Sequence, residues 1–346
     1  MQTNQLDRND NPNNNQILSI LKREGVLINV TVRYWRGCKK LIAEDIGLKS
    51  DNLSDRLISL GHKRLLPKDT LQYLSLIEGR AHALIDGNTF PFLNGVGHFL
   101  PNPKMEEVLD KLKQLEQEFW SAKEVFLNQY ASLRESASQE WYKMAAKLTS
   151  DPERVVASIQ QSFPLPRQMH RYFDFQTNLF QISLPEKLSM EILTSEEQQQ
   201  VITARQKAVH EAAEKIRRDT EIFVYECITA LREQTAKLCE DMLHSISGSD
   251  KGVHQKTLNR LIHFIDQFKQ MNFANDTVME SQLDKVRKEL LTRTAEEYRD
   301  SPIATASLVQ GLTQLADHAR QLCKEEAVEL VQRFGSLGKR KFHLAA

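Results

Sequence analysis

The hydrophobic pattern is most regular in the middle of the chain. Met105, Val108, Leu112, Leu115, Phe119, Ala122 and Phe126 follow one another at steps of three and four, and Tyr130, Leu133, Ala137, Trp141, Met144 and Leu148 continue the series. That spacing lays one apolar stripe along a helix over 104–148. At about 1.5 Å per residue, such a helix reaches roughly 68 Å. Thr194-Ser195-Glu196-Glu197 opens a second long helix with the side chains of a capping box. Its seam runs through Val209, Ala212, Ile216, Phe223, Cys227, Leu231, Leu238 and Met242, and Gly248 ends it. Steps that average 3.5 wind a left-handed seam. The two helices are therefore expected to form a long antiparallel coiled-coil hairpin.

Elsewhere the period changes. Val26, Ile28, Val30, Val32 and Tyr34 alternate with Leu27, Asn29, Thr31 and Arg33, which predicts a β-strand ended by Gly37. Short helices are expected at 16–23, 43–46, 53–59 and 68–86. The segment 88–103 carries Phe90, Phe92, Leu93, Val96, Phe99 and Leu100 on a Gly/Pro-rich backbone, too apolar for a solvated loop, and reads as an ordered one. Asp151-Pro152 is an N-cap and first turn for a helix to about residue 162. Phe173, Phe175, Leu179, Phe180 and Ile182 alternate raggedly, as a second strand or hairpin would. Helices near 253–271, 276–298 and 304–334 complete the chain. The expected fold is mostly α with minor β. Its organisation is a disordered arm (1–16), a head with a short β element (17–102), the helical hairpin with an irregular or β insertion near 163–193 (103–248), C-terminal helices (249–338) and a frayed basic tail (339–346).

Composition sharpens this picture. Lys plus Arg and Asp plus Glu are both 46, so the formal charge is zero, which argues against a surface that is one broad anion trap. Hydrophobic residues make up 40% of the 346, enough for a core. The longest uncharged run, 87–103, holds three prolines and is too broken for a membrane span. No secretory signal opens the chain, and Cys38, Cys227, Cys239 and Cys323 are scattered without a Cys-x-x-Cys pair. Neither a disulfide framework nor a zinc site is expected, and a cytoplasmic location is.

Motifs for catalysis are missing. Gly335-Ser336-Leu337-Gly338-Lys339 has the wrong spacing for a phosphate-binding loop, and no His pair has zinc-site spacing. No enzyme activity, metal or cofactor is expected. Glu78, His82 and Asp86 recur at steps of four, with Arg80 among them, and an acid–His–acid ladder can do general-base work. An ordinary ion-pair ladder on a solvated helix is the simpler account. Arg33, Arg36, Lys39 and Lys40 surround Tyr34 and Trp35, and His62, Lys63 and Arg64 form a second basic cluster. Cations beside stacking aromatics suit nucleic-acid contact. If Trp35 is core, the same cations only decorate its rim.

One further reading comes from likeness. Gly25-Val26-Leu27-Ile28-Asn29-Val30, Tyr34-Trp35-Arg36-Gly37-Cys38-Lys39-Lys40-Leu41, Ile77-Glu78-Gly79-Arg80-Ala81-His82-Ala83-Leu84, Thr89-Phe90-Pro91-Phe92-Leu93 and Glu118-Phe119-Trp120 resemble the blocks of an uncharacterised bacterial family. Genes of that family often neighbour a MoxR-type AAA+ ATPase and a von Willebrand factor A-domain protein, frequently on mobile DNA. The resemblance implies a non-enzymatic scaffold or adaptor working with those two partners. Trp35, Arg36, Lys39, Lys40, Glu78, Arg80 and His82 are then the expected partner-binding residues, because the family-like blocks concentrate there. Self-association through the coiled coil is also expected to be open to such a chain. The alternative is a nucleic-acid-binding component of a mobile-element or defence system, using Arg33, Arg36, Lys39, Lys40, Lys63 and Arg64.

Overall fold

A computed structural model describes residues 12–42, 60–92, 97–147, 149–183, 196–248, 252–325 and 331. The chain is mostly helical with small antiparallel sheets. In chain order the elements are α1 (Pro12–Glu24), β1 (Gly25–Arg33), β2 (Cys38–Lys40), β3 (His62–Arg64), a 3-10 turn (Lys68–Leu71), α2 (Gln72–Asn88), β4 (Phe90–Phe92), β5 (Gly97–Pro101), α3 (Asn102–Ala145), α4 (Pro152–Ser162), α5 (Pro166–Met169), β6 (Asp174–Phe180), α6 (Glu196–Ser247), α7 (Gln255–Met271), α8 (Thr277–Leu290), α9 (Ala295–Arg299) and α10 (Pro302–Glu325). The expected helices at 43–46 and 53–59 lie outside the described residues, as do 1–11 of the arm and the basic tail. None of the described helices is long and apolar enough to cross a membrane.

The chain folds into two compact units, and neither is continuous in sequence. The first comprises Met1–Ile28, Asn88–Met105 and Leu179–Ala346; the second comprises Asn29–Gly87 and Glu106–Asn178. In the first, α10, α1 and α7 pack on α6. The α6 seam residues Phe223, Cys227, Leu231, Leu238 and Met242 are buried there among Leu258, Leu261, Ile265, Leu308 and Leu312. The two long helices fall in different units, and α10 covers much of the α6 stripe that was expected to face α3. A stripe's period fixes which residues are buried, but any apolar helix can supply the cover.

The segment 88–103 is more regular than a loop. Phe90 and Phe92 form β4, which pairs with β5 in the register Phe90↔Phe99, Pro91↔His98, Phe92↔Gly97. β5 pairs in turn with the first half of β1, from Gly25↔Pro101 to Ile28↔His98. The strand order is β4-β5-β1-β6, so Pro91 sits on an edge strand, where its missing N–H is tolerated. Gly25 is required at its position, because a Cβ there would meet the Leu100 carbonyl oxygen at 2.4 Å. The expected helix at 276–298 is divided in two. Thr294 starts α9 with a full capping box to Glu297.

In the second unit, α3 buries Val108, Leu112, Leu115, Phe119, Phe126, Tyr130 and Ala137, the predicted stripe. The cover is aromatic. Trp35 lies 5.8 Å from Tyr130, 5.9 Å from Phe163 and 6.1 Å from Phe126, centroid to centroid. Phe173 and Phe175 close over Phe126 and Phe119. The Tyr130 hydroxyl donates to the Pro164 carbonyl at 2.8 Å, which satisfies its polar end.

Candidate functional site

The site residues expected from the sequence gather in the second unit. After β1, Tyr34 turns inward and Arg36 outward, and Arg36 meets Glu78 on α2 through two bonds of 2.8 and 2.6 Å. Its guanidinium lies over the Tyr34 ring at 4.0 Å and also donates to the Tyr34 hydroxyl. Such a two-bond pair holds both ions in their charged forms. The Arg36 hydrogen bonds keep the Glu78 carboxyl below its ordinary range, against a partial burial that opposes them, and Arg36 is raised in return. The acid–His–acid ladder is therefore broken at its first step, since the Glu78 carboxylate is engaged by Arg36 while His82 is exposed on α2. Arg80, two residues further along α2, reaches Glu118 on α3 at 2.6 Å.

Gly37 then takes a positive φ of 61° and sends the chain into β2. β2 and β3 form a two-stranded antiparallel ribbon with the register Cys38↔Arg64, Lys39↔Lys63 and Lys40↔His62. Strand pairing thus joins the two basic clusters that lie apart in sequence. It does not make all of them available. Lys63 is only 6% exposed, whereas Lys39, Lys40, His62 and Arg64 face solvent. Arg33 is paired with Asp174 at 2.6 Å. Trp35, 7% exposed, belongs to the aromatic core, so its indole is presented neither to a partner nor to a base.

A groove of about 750 Å³ opens beside this region, between the start of α2 and the middle of α3. Thr70, Tyr73 and Leu74 line one wall; Gln114, Gln117, Ser121, Val125, Gln129 and Leu133 are on the other. From 114 to 133 the α3 wall runs for about 28 Å. Tyr73 is 53% and Val125 55% exposed, and Leu76 on the same helix as Tyr73 is exposed too. Glu118, which Arg80 holds, also lines the groove. Arg80 is thus the partner-binding candidate tied to this surface. The α3 wall itself was missed from the sequence, although the stretch 125–133 carries no charge on any face, a signal unusual for a half-exposed helix. Among the described residues no group of three or more His, Cys, Asp or Glu side chains converges as a metal site would need.

No curated protein and no solved structure matches the chain. The model of one sequence family, described as "Protein of unknown function (DUF3150)", matches residues 23–316. That span takes in the β1 strand, the basic ribbon, the groove and most of the helices of both units, and by it the chain belongs to the DUF3150 family.

Proposed function

We propose that the protein is a non-enzymatic adaptor that docks a partner protein in the groove between α2 and α3, the partners being a MoxR-type AAA+ ATPase and a von Willebrand A-domain protein. The observation that carries this reading is the groove itself. It offers an apolar floor of Leu74, Ala122 and Phe126, exposed apolar side chains at Tyr73 and Val125, and a rim of glutamines. An apolar floor with a polar rim is the anatomy of a protein interface. Its length along α3 suits about five turns of an amphipathic helix lying in the groove. The identity of the two partners rests on the resemblance of the Tyr34–Leu41 and Ile77–Leu84 blocks.

The test is co-purification with the AAA+ ATPase and the A-domain protein encoded beside the gene. The wild-type chain is expected to retain the ATPase on size exclusion. Val125→Glu combined with Tyr73→Ala is expected to lose it with the helical circular dichroism unchanged, because both side chains are half exposed. Full retention by the double variant would remove the groove as the docking site. Light scattering on the isolated chain separates partner docking from self-association of the chain through the same face.

A further inference from the structure

We propose that the β2–β3 ribbon is a phosphate-contacting surface for duplex nucleic acid. The ribbon is built as a rigid platform. Gly37 and Gly61, both at positive φ, bracket it. Its ladder extends past the strand ends through Leu65 N–H donating to Gly37 and Leu41 N–H donating to Gly61. The Trp141 indole donates to the Arg64 carbonyl at 3.0 Å and pins β3 to α3. Period-two alternation puts Cys38, Lys40, His62 and Arg64 on the outer face of the ribbon and Lys39 with buried Lys63 on the other, where Lys39 is still exposed.

Charge pairing separates this surface from the rest of the unit. Arg33, Arg36 and Arg80 each meet a carboxylate, on Asp174, Glu78 and Glu118. Among the described residues no acidic side chain meets Lys39, Lys40 or Arg64. Lys40 and Arg64 thus stand together on the outer face with no acidic side chain of the described residues against them, and an external anion would supply the counter-charge. An acidic protein surface fits less well, because a protein partner takes its affinity from buried aromatic or aliphatic anchors and the outward side chains here are Lys40, His62, Arg64 and Cys38. A nucleic-acid backbone binds through charge alone. A two-stranded ribbon also fits the major groove of a duplex. Same-face positions on the ribbon repeat about every 6.7 Å, close to two steps of duplex rise at about 3.4 Å each.

Two cations, Lys40 and Arg64, set the expected strength. Each phosphate neutralised contributes about 0.9 to the logarithmic salt slope, so raising salt fourfold should weaken binding roughly 12-fold. Binding is therefore expected to be weak at physiological salt. The experiment is fluorescence anisotropy of a labelled random-sequence duplex with the full chain at about 50 and about 200 mM salt. The wild type should bind at the lower salt with a slope near two. Lys40→Ala and Arg64→Ala together should weaken it at least tenfold and cut the slope by about two. Lys40→Gln alone, which disturbs the fold least, should cut it by about one, and Lys40→Arg should keep both affinity and slope. An unchanged slope in the double and single variants, or no binding at the lower salt, would overturn the proposal. So would poly-glutamate competing as well as the duplex, which would reassign the ribbon to an acidic protein partner.

Discussion

Arg232 is the largest side chain buried without exposure, and it carries a charge into the core of the first unit. It donates to Asp276 at 2.7 Å and to the Leu322 carbonyl at 2.5 Å, while its second terminal nitrogen has no partner among the described residues. Asp276 in turn caps α8 by accepting from Met279 N–H at 3.1 Å. The pair therefore ties α6, the α7–α8 turn and the end of α10 together. Removing one partner strands the other charge. Asp276→Ala and Arg232→Met are each expected to cost about 3–5 kcal/mol in urea unfolding, whereas replacing both partners together by apolar residues of similar volume should cost much less. The exposed clasp at Arg36 is a milder case. The Glu78 carboxyl is lowered in the folded chain, so its contribution is present above the ordinary carboxylate range and is lost as pH falls through the lowered value. The melting-temperature gap between wild type and Glu78→Gln should accordingly be open near neutral pH and close in acid. The free cysteines will also differ. Burial raises the Cys239 thiol to about 12 and the Cys227 thiol well above its usual value, whereas Cys38, at the start of β2, is partly exposed. A thiol reagent should label Cys38 first and leave Cys227 and Cys239 silent until unfolding.

At the scale of elements, the aromatic cover of α3 is where substitution should be felt most. Phe119 has no exposure and touches Trp120, Phe173 and Phe175. Phe119→Ala should cost about 3–5 kcal/mol, read from thermal or denaturant melts, because an aromatic cluster cannot collapse into the space of a lost ring. Long elements were legible in the sequence for a physical reason: α3, α6 and α7 each present several turns of one apolar stripe, and the middle of the stripes named for α3 and α6 is buried, whereas Met144 and Ala212 towards their ends are exposed. β4 was not. Three residues with a central proline span less than two strand periods, and Phe90 and Phe92 read equally well as an apolar loop. The candidate site was legible only in part. Arg36, Glu78 and Arg80 stand out by residue type, but a helix ladder from Glu78 to His82 was as reasonable on spacing as the long-range clasp to Arg36. The basic clusters at Lys39–Lys40 and His62–Arg64 needed β pairing to meet. Trp35 could not be assigned to core or surface until Phe126, Tyr130 and Phe163 closed around it.

For the whole molecule, equal numbers of acidic and basic side chains put the sequence isoelectric point near 7.2. Solubility should pass through a minimum near neutral pH and rise with added salt or with a shift of pH to either side, as turbidity titration would show. The unit boundaries left no mark in composition, which is why a linear division into head, hairpin and C-terminal helices differs from the division seen. The chain passes between units at 28, 87, 105 and 178, inside β1, at the end of α2, inside α3 and inside β6.

That interleaving has a consequence for the order of events during synthesis. α1 presents Ile17, Ile20 and Leu21 to a core that takes in Leu27, Phe90, Phe92 and Phe99 but draws most of its members from Phe223 on α6 onward. About 200 residues must leave the ribosome before α6 begins to cover those side chains, on the order of ten seconds or more at roughly 5–20 residues per second. The second unit is complete in the emerging chain once residue 178 has appeared, while the first still lacks α6 to α10. A nascent chain of this protein therefore carries the apolar face of α1 without its α6 cover until α6 has emerged, and a ribosome-associated chaperone would find a binding segment there.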